Sequence, residues 1–388
     1  MMTVTINDAR LRVFVHLARE FGRTAWKQRW DKGAIVGINH DDPYGYRQAE
    51  EMGCIVEQSE DAPESSLARL VRLGIRAMLG FDLLHAWRNR RGIFSAEVVW
   101  THTESQSLAV LLLVRLRRTS ARRPSIIAQT VWVMDCWESY NPLRRLLYRS
   151  LLRRADMLTF LSASAAAKAR RLFPDTPVEF LKYGIRADEP LAVIHRERHH
   201  PIRILTMGND RHRDWPTFIA AIKNDPRYQA RALTGAKIRG LLEGVENIVC
   251  ERAKTNAELM AIFQWADVVI VCLVDNLHAS GITVIEEAVL CGVPVISTEA
   301  GGLQSYFGSE EVTYVRSKDP EALRLAIDQL MEDHAMREAK AKRALALMKT
   351  GDLNSRSFVA RHVELSRRFP SIGKSGHPSG ALSVATER

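Results

Sequence analysis

Short apolar runs alternate with longer segments of helical periodicity along almost the whole chain. Runs such as Leu11–Leu17 and Val268–Val274 are typical of buried strands. Segments such as Ser66–Leu79 and Pro320–Asp333 repeat apolar residues at helical spacing. Alternation of this kind predicts an α/β fold with parallel sheets covered by helices. Further strands are predicted at Ala34–Ile38, Cys54–Glu57, Glu97–Trp100, Ile126–Val133, Met157–Ser162, Val178–Lys182, Ile202–Met207, Gln229–Leu233, Asn247–Cys250, Val293–Ser297 and Thr313–Val315.

The pattern breaks once and then restarts. Residues 187–201 (ADEPLAVIHRERHHP) are polar and charged, with prolines near both ends, as in an interdomain linker. We therefore expect two Rossmann-like, doubly wound domains, residues 1–186 and 202–350, that face each other across a central cleft. A helix within 351–370 is expected to pack back toward the first domain. Residues 371–388 are rich in Gly, Ser and Pro and are expected to be disordered.

Residues 276–307 give the strongest indication of a binding site. Ser280-Gly281 forms a turn that leads into a predicted helix, Thr283–Leu290. The free N–H groups and the dipole at a helix start favour an anion. Glu287 lies one to two turns inside that helix, where its carboxylate can accept hydrogen bonds from ribose hydroxyls. A phosphate at the helix start with a diol acceptor above it describes a nucleotide site.

The phrase E-A-V-L-C-G-V-P-V-I-S-T-E-A-G-G, which begins at Glu287, resembles the nucleotide-sugar signature of GT-B glycosyltransferases, especially family 4. That family has a Glu, seven residues, a second Glu, then A-x-x-x-G-x-P-V-I and a Gly-Gly loop. The resemblance implies that Glu287 holds the donor ribose. Ala279 stands where the first Glu is expected, so His278, Ser280 or Asp275 could take over its contact with the donor sugar.

The same resemblance assigns the donor phosphates to the start of this helix. The backbone amides of Ser280, Gly281, Ile282 and Thr283 would then contact them. Glu286, although adjacent to Glu287, points about 100° away around the helix, so no role is assigned to it.

A second loop, residues 208–215 (GNDRHRDW), follows the first predicted strand of the second domain. A glycine turn, basic side chains and a helix start can clamp a pyrophosphate and neutralise the departing charge. A solvated basic loop is the simpler alternative. The family has an R-D-W segment at this point, which implies that Arg213 is the phosphate-contacting cation and Gly208 the turn. Asn209 replaces the Arg that often follows this glycine, so Arg211 is expected to share the contact.

The first domain supplies candidates for the reaction itself, at predicted carboxyl ends of strands. A lone His is more often structural, but the segment around His102 resembles the family's T-H-x-E, which implies contact with the donor sugar or proton handling. Glu104 is a second candidate there. Asp135 is expected to face the acceptor, and Gly22 loosely resembles the family's glycine loop near the donor phosphates. By analogy only, backbone groups around Arg252 are expected to bind the base, without separating uracil from guanine.

The excess positive charge lies entirely in the first half of the chain. Residues 1–187 hold 29 Lys and Arg against 19 Asp and Glu, a net of +10, whereas residues 188–388 hold 26 against 26. Basic residues concentrate at 115–123 and 144–154, and leucines repeat at helical spacing in the second segment. This pattern favours an anionic membrane surface or a phosphate-linked acceptor. A solvated basic face, with the leucines packed on the sheet, is the open alternative.

Composition argues against several other classes. No apolar run approaches the ~20 residues that span a bilayer, and the first residues lack a signal-peptide pattern. We therefore expect a cytoplasmic protein that attaches peripherally to the inner face of the plasma membrane. The five cysteines are scattered without zinc spacing, so neither a metal nor a cofactor is expected beyond a UDP- or GDP-linked donor. Nucleic acid is suggested by charge alone, and no recognition motif supports it.

The expected reaction is metal-independent transfer of a hexose from a nucleotide-sugar to a hydroxyl of a saccharide or polyprenyl-diphosphate-linked acceptor. Exopolysaccharide or lipopolysaccharide assembly would use such a step. In a retaining reaction, as in the family's nearest members, the leaving phosphate itself can take the acceptor proton. In an inverting reaction His102 or Asp135 must take it. Two alternatives stay open: a nucleotide-sugar epimerase of GT-B fold, which would need no acceptor, and a non-catalytic GT-B subunit, suggested by Ala279.

Overall fold

The computed structural model describes residues 10–117, 123–188 and 199–369. Its first sheet has six strands, all paired in parallel in the order 2-1-3-4-5-6. These strands are β1 (Leu11–His16), β2 (Cys54–Gln58), β3 (Val98–Thr101), β4 (Ser125–Thr130), β5 (Met157–Phe160) and β6 (Val178–Phe180).

Helices surround this sheet, and a 3₁₀ segment at Pro43–Met52 packs beside β2. The α-helices are α1 (Arg23–Asp31), α2 (Ser66–Leu79), α3 (Leu83–Arg88), α4 (Arg90–Ser95), α5 (Glu104–Leu116), α6 (Val133–Cys136), α7 (Pro142–Leu152) and α8 (Ala163–Leu172).

The second sheet also has six parallel strands, in the order 12-11-10-7-8-9. They are β7 (Ile202–Met207), β8 (Tyr228–Leu233), β9 (Ile248–Glu251), β10 (Val268–Val271), β11 (Val295–Thr298) and β12 (Thr313–Val315). Its helices, with the two that follow the sheet, are α9 (Trp215–Ile222), α10 (Asn256–Trp265), α11 (Ile282–Leu290), α12 (Pro320–Glu332), α13 (His334–Thr350) and α14 (Ser355–Ser366).

Local sequence signals explain where many of these helices begin. Asp214 accepts a hydrogen bond from the Thr217 amide at the start of α9 at 3.1 Å, and Thr255 accepts one from the Glu258 amide in α10. Both are N-cap contacts that satisfy otherwise free helix N–H groups. All four residues of β10 are buried, because helices cover both faces of a central parallel strand. The α/β prediction with two doubly wound sheets is therefore confirmed.

The strand predicted at Ala34–Ile38 is wrong. These residues form a loop, because their amides bond side chains of the second domain instead of a neighbouring strand. The other predicted strands are present with shifts of a few residues at their ends.

Helix α14 follows the second domain in sequence and packs against the first. It contacts the 3₁₀ segment beside β2 and also β4, and Trp100 Nε1 on β3 donates to Ser366 Oγ at 2.8 Å. The last helix therefore links the two halves of the molecule.

Each sheet has one point where the strand order reverses. In the second sheet it lies between β7 and β10, so the loops that follow these strands meet there: the amide of Val274 donates to His212 O at 2.9 Å, and the amide of Asp214 donates to Cys272 O at 3.0 Å. In the first sheet it lies between β1 and β3. Ligands of such folds bind beyond the carboxyl ends of strands at these points.

Several sequence expectations fall wholly or partly outside the described residues. They concern the tail 371–388, most of the linker 187–201 and part of the basic run 115–123. Within the described ranges, no helix is both long and apolar enough to cross a bilayer.

Candidate functional site

The start of α11 lies against a buried arginine. Gly281 precedes the helix with φ of +84°, and a Cβ added there would stand 2.8 Å from Arg213 Nη1. Gly208 has φ of +138°, and a Cβ there would overlap Arg213 Nε. Both glycines are therefore required, since a side chain at either position would be strained and would displace the guanidinium.

Arg213 has an incomplete set of partners. It is only 9% exposed, and its Nε and Nη1 have no hydrogen-bond partner among the described residues. Burial lowers the pKa of this guanidinium to about 10, with nearby Asp210 opposing the change, so it remains charged at neutral pH. A buried cation whose N–H groups lack hydrogen-bond partners is costly. Its position beside the first amides of α11 is one that would suit an anion.

Glu287 lines a cavity of about 580 Å³ between the two halves of the molecule. Arg252, Asn209 and Gly235 line the same cavity: Arg252 Nη2 donates to Gly235 O at 3.3 Å, and Asn209 Oδ1 accepts from the Gly235 amide at 2.6 Å. Burial raises the pKa of Glu287 to about 7, against the effect of one backbone hydrogen bond. The cavity thus joins the predicted ribose acid to the predicted base-binding segment.

A loop of the first domain covers this acid. Glu287 Oε1 accepts the amide hydrogen of Ile38 at 3.1 Å, and the Gly37 amide donates to Asn256 Oδ1 at 2.8 Å. Gly37 has φ of +117°, and a Cβ there would lie 2.8 Å from Glu287 Oε1. Only glycine fits so close to the carboxylate.

The neighbouring Glu286 does not line this cavity. It is fully buried, and neither carboxylate oxygen has a hydrogen-bond partner among the described residues. Burial, with the adjacent Glu287, raises its pKa well above the usual value. The separation of Glu286 from the cavity agrees with the helical geometry expected from sequence.

A carboxylate–imidazole–carboxylate bridge joins the two halves of the molecule beside the glycine turns at Gly208 and Gly281. His278 Nδ1 lies 3.0 Å from Asp135 Oδ2, and His278 Nε2 lies 2.7 Å from Asp210 Oδ2. Asp135 also accepts the Leu277 amide at 2.7 Å, and Ser280 Oγ donates to Asp210 at 2.9 Å. Burial would lower the pKa of His278, but the two carboxylates raise it to about 9.

This bridge changes the expected role of Asp135. Burial opposes the shift, but the bonds from His278 and Leu277 lower the pKa of Asp135 below its usual value. A carboxylate held in this way is a poor proton acceptor, so the structure does not favour it as the general base. His278 Nε2 and Ser280 Oγ, on either side of Ala279, both bond Asp210.

His102 lies at the end of β3 among aromatic rings. Its Nδ1 is 2.9 Å from the Tyr46 hydroxyl, and its ring stacks on Tyr44 with centroids 3.6 Å apart. Burial, with His362, lowers the pKa of His102 to about 3, so the ring is neutral. It lines a first-domain cavity of about 550 Å³. Glu104 lines the same cavity, but its Oε2 accepts the Val131 amide at 3.0 Å and so supports the next loop.

Two of the predicted donor-binding residues lie elsewhere. Gly22 lines neither cavity, and its small size is explained by Ser59 O, which a Cβ would meet at 2.5 Å. Arg211 points to the first domain, where Nη2 lies 3.0 Å from Cys136 Sγ, so it does not share the anion with Arg213. The Ile282 side chain is buried in the core, which leaves only its amide for a ligand.

Sequence reasoning missed the residues that act through long-range contacts. The loop at Gly37 was taken for a strand, and Tyr44, Tyr46 and Asp210 were not singled out. Gly37 carried a usable signal, because a glycine inside a short apolar run often marks a close backbone approach. The aromatic pair around Gly45 carried none.

Comparisons with known proteins support the same architecture. Residues 241–346 match the family model described as "Glycosyl transferases group 1". Sucrose-phosphate synthase from Thermosynechococcus elongatus aligns with a TM-score of 0.67 at 16% identity, covering 92% of this chain and 98% of that one. HepE from Anabaena, solved with UDP-glucose, aligns with a TM-score of 0.60 at 14% identity, covering 92% and 100%.

A third solved structure, the N-terminal domain of trehalose-6-phosphate phosphatase from Candida albicans, aligns with a TM-score of 0.63 at 10% identity, covering 95% and 98%. A search of curated protein sequences found no match. The solved structures share the two facing Rossmann-like sheets, and the family model matches the segment that contains Glu287. The chain therefore has the GT-B glycosyltransferase fold and carries a glycosyl transferases group 1 segment in its second half.

Proposed function

We propose that this protein transfers a sugar from a nucleotide-sugar to a hydroxyl of a lipid-linked saccharide at an anionic membrane surface. One observation carries the donor half of the proposal: the guanidinium of Arg213, whose Nε and Nη1 have no hydrogen-bond partner among the described residues, lies at the start of the helix that holds Glu287. Diphosphate and ribose are the two parts of a nucleotide-sugar that such a pair recognises.

In the proposed binding mode, each part of the nucleotide-sugar faces a group that matches its chemistry. The diphosphate would lie between Arg213 and the amides of Gly281 and Thr283, and the ribose diol would face Glu287. The base would reach Arg252 across the cavity. UDP is the favoured nucleotide, since HepE was solved with UDP and with UDP-glucose. Negative charge that develops on the leaving diphosphate is then met by a guanidinium and a helix dipole already in place, without a metal.

His102 is proposed to contact the donor sugar at the reaction centre. Its neutral ring can accept or donate one hydrogen bond to a sugar hydroxyl. The acceptor oxygen attacks the anomeric carbon as the bond to the diphosphate breaks. In a retaining reaction the leaving phosphate oxygen takes the acceptor proton. This route suits the site, because Asp135 is already engaged by His278.

The acceptor half rests on the outer face of α2. Leu67, Leu70 and Met78 are 72%, 67% and 72% exposed, whereas Arg72 is the buried residue of this helix. This arrangement is the reverse of an ordinary amphipathic helix on a protein surface. Contiguous exposed apolar groups of this kind mark interaction surfaces.

An ion cluster beneath α2 explains the inversion. Arg72 Nη2 lies 3.0 Å from Glu64 Oε1, and Arg72 Nη1 lies 2.7 Å from Asp82 Oδ2. Arg88 Nη1 contacts the same Glu64 at 2.7 Å. The helix is therefore anchored by its polar side, and its leucines are left facing outward.

Helix α7 extends this face. Leu143 and Leu146 are 80% and 67% exposed, and Arg144 Nη2 donates to Ala77 O at the end of α2. Exposed arginines accompany the leucines on both helices, namely Arg69, Arg76 and Arg149. Leucines that enter the acyl boundary beside arginines at the headgroups fit an anionic bilayer.

The end of α2 also reaches the reaction centre. Arg76 and Gly80 line the same 550 Å³ cavity as His102, together with Arg19 from the loop after β1. A lipid-diphosphate acceptor that leaves the bilayer at this face would find two cationic side chains on the way to His102. The proposed role is a step in polysaccharide or lipopolysaccharide assembly at the cytoplasmic face of the membrane.

Donor binding is tested by thermal shift with UDP, GDP, ADP and their sugars. We expect stabilisation by one nucleoside diphosphate, loss of that effect in Glu287→Ala, and no loss in Glu332→Ala, an exposed acid at the end of α12. No stabilisation by any of them would refute the donor assignment. Turnover of the nucleotide-sugar to an epimer without acceptor would favour the epimerase.

Membrane binding is tested by sedimentation with vesicles of phosphatidylcholine alone or with phosphatidylglycerol. We expect binding that needs the anionic lipid, weakens with salt and falls in Leu67→Ser/Leu70→Ser. Leu325→Ser on α12, 49% exposed in the native chain, is the matched control. Binding that ignores both the anionic lipid and the α2 substitutions would contradict the acceptor proposal.

A further inference from the structure

Two histidines of the second domain face one carboxylate of the first. His278 Nδ1 lies 3.0 Å from Asp135 Oδ2, and His212 Nε2 lies 4.0 Å from Asp135 Oδ1. One nitrogen from each ring and one oxygen of Asp135 lie within 4.8 Å of one another. The two ring centroids are 4.8 Å apart. Two imidazoles and a carboxylate that converge in this way are a common ligand set for a divalent transition metal.

A second carboxylate holds the far side of both rings. Asp210 Oδ1 is 3.0 Å from His212 Nδ1, and Asp210 Oδ2 is 2.7 Å from His278 Nε2. Metal-binding histidines usually donate their other N–H to a carboxylate, which fixes the ring and turns the lone pair of the first nitrogen toward the ion. A single residue performs this function here for both rings, so each presents its remaining nitrogen to Asp135.

Burial makes the arrangement specific. His212 and His278 are 9% and 5% exposed, and the Asp135 side chain is 5% exposed. The loops that carry them meet at the strand-order reversal of the second sheet, where the Val274 amide bonds His212 O. The three groups are thus held by backbone contacts and do not sit on a mobile surface.

We propose that Asp135, His212 and His278 bind one divalent transition-metal ion of the zinc class that ties the two halves of the molecule together. Zinc bonds to imidazole nitrogen and carboxylate oxygen are about 2.0–2.2 Å long, so tetrahedral ligand atoms lie roughly 3.3 Å apart. The observed atoms need only small side-chain shifts to reach that spacing. Binding releases the proton on His278 Nδ1 to solvent, while both rings keep their bonds to Asp210. The proposal is independent of the sugar-transfer reaction.

The competing explanation is a metal-free bridge in which a charged His278 pairs with both carboxylates. The two explanations differ at His212, because the bridge does not require its Nε2, whereas the metal site does. His212 substitutions therefore separate them.

The test uses untagged full-length protein, treated with a chelator and dialysed, then titrated with Co²⁺ as a spectroscopic substitute for zinc. We expect visible absorption bands that saturate at one ion per chain and disappear on adding Zn²⁺. His212→Ala and His278→Ala should each abolish the bands, and Asp210→Asn should weaken affinity by about 10–100-fold. His334→Ala, whose side chain is 60% exposed, is the control and should bind normally.

Folding of every variant is checked by circular dichroism in chelator, and Asp135→Asn replaces a histidine variant that has unfolded. Absence of bands in the native chain would overturn the proposal. Bands that persist in His212→Ala with unchanged affinity would also overturn it.

Discussion

Replacing Arg213 is predicted to have opposite effects on two quantities: the ligand-free protein should become no less stable, whereas nucleotide binding should weaken. Its burial lowers the guanidinium pKa from 12.5 to about 10. At about 1.4 kcal/mol per pKa unit, this corresponds to roughly 3 kcal/mol of cost for the charged form in the folded protein. The sign follows from linkage: a base with a lowered folded-state pKa weakens the native state at every pH below that pKa. Replacement by an apolar side chain of similar length removes that cost.

We therefore predict that Arg213→Met leaves the ligand-free protein as stable as the native chain or more so, with a gain of up to about 3 kcal/mol. Breaking a buried, charge-paired contact costs about 3–5 kcal/mol, so affinity for the nucleoside diphosphate should fall by about 10²–10³-fold or more. Urea denaturation measures the first quantity and isothermal titration with UDP or GDP the second.

Arg211→Met is the matched control from the same loop, because Arg211 faces Cys136 and not the anion site. It should alter nucleotide affinity little. An Arg213→Met protein that is clearly destabilised without ligand, yet binds the nucleotide normally, would refute the reasoning.

Three further outcomes test the neighbouring contacts. The pKa of Glu287 is raised to about 7, so the folded protein keeps this proton at pH values where the unfolded chain has lost it. The free energy of unfolding should therefore fall as pH rises from about 4.5 to about 7. This dependence on pH should be weaker in Glu287→Gln, and an unchanged dependence would contradict the prediction. Gly37→Ala should tighten donor binding without unfolding the protein, because its Cβ would lie 2.8 Å from Glu287 Oε1 and push away the loop whose Ile38 amide occupies that oxygen; equal or weaker affinity in titration calorimetry would show that the loop does not compete with the donor. Ser366→Ala should reduce the free energy of unfolding by about 1–3 kcal/mol, because it strands the buried N–H of Trp100, and Ser95→Ala, at an exposed site, should not.

Local features of the sequence were sufficient to predict the fold and to place neighbouring candidate residues on one element. The helix Ser66–Leu79 was predicted with the bounds it has in the structure, because helical periodicity depends on near neighbours. Its inverted orientation was not predictable, since it depends on Glu64 and Asp82 meeting Arg72 in three dimensions. Gly281 and Glu287 could be placed together from sequence because one helix and its preceding turn carry both.

Contacts between distant segments explain the rest. Asp135 and His278 are 143 residues apart, and no spacing rule connects them. For the same reason a carboxylate expected to act as a base is held in an interdomain bridge instead. The scattered sequence positions of Asp135 and His212 also concealed a cluster of metal-ligand types that only the fold assembles.

The amide of Ile38 gives the binding pocket an internal competitor. It donates to Glu287 Oε1, so in the proposed binding mode a ribose diol that takes both oxygens must first displace the loop. The apparent affinity is then the intrinsic affinity reduced by the fraction of molecules in which the loop has moved away. After sugar transfer, return of the Ile38 amide to Glu287 would help to displace the nucleoside diphosphate. Product release would then be coupled to re-formation of the ligand-free arrangement in which this loop covers Glu287.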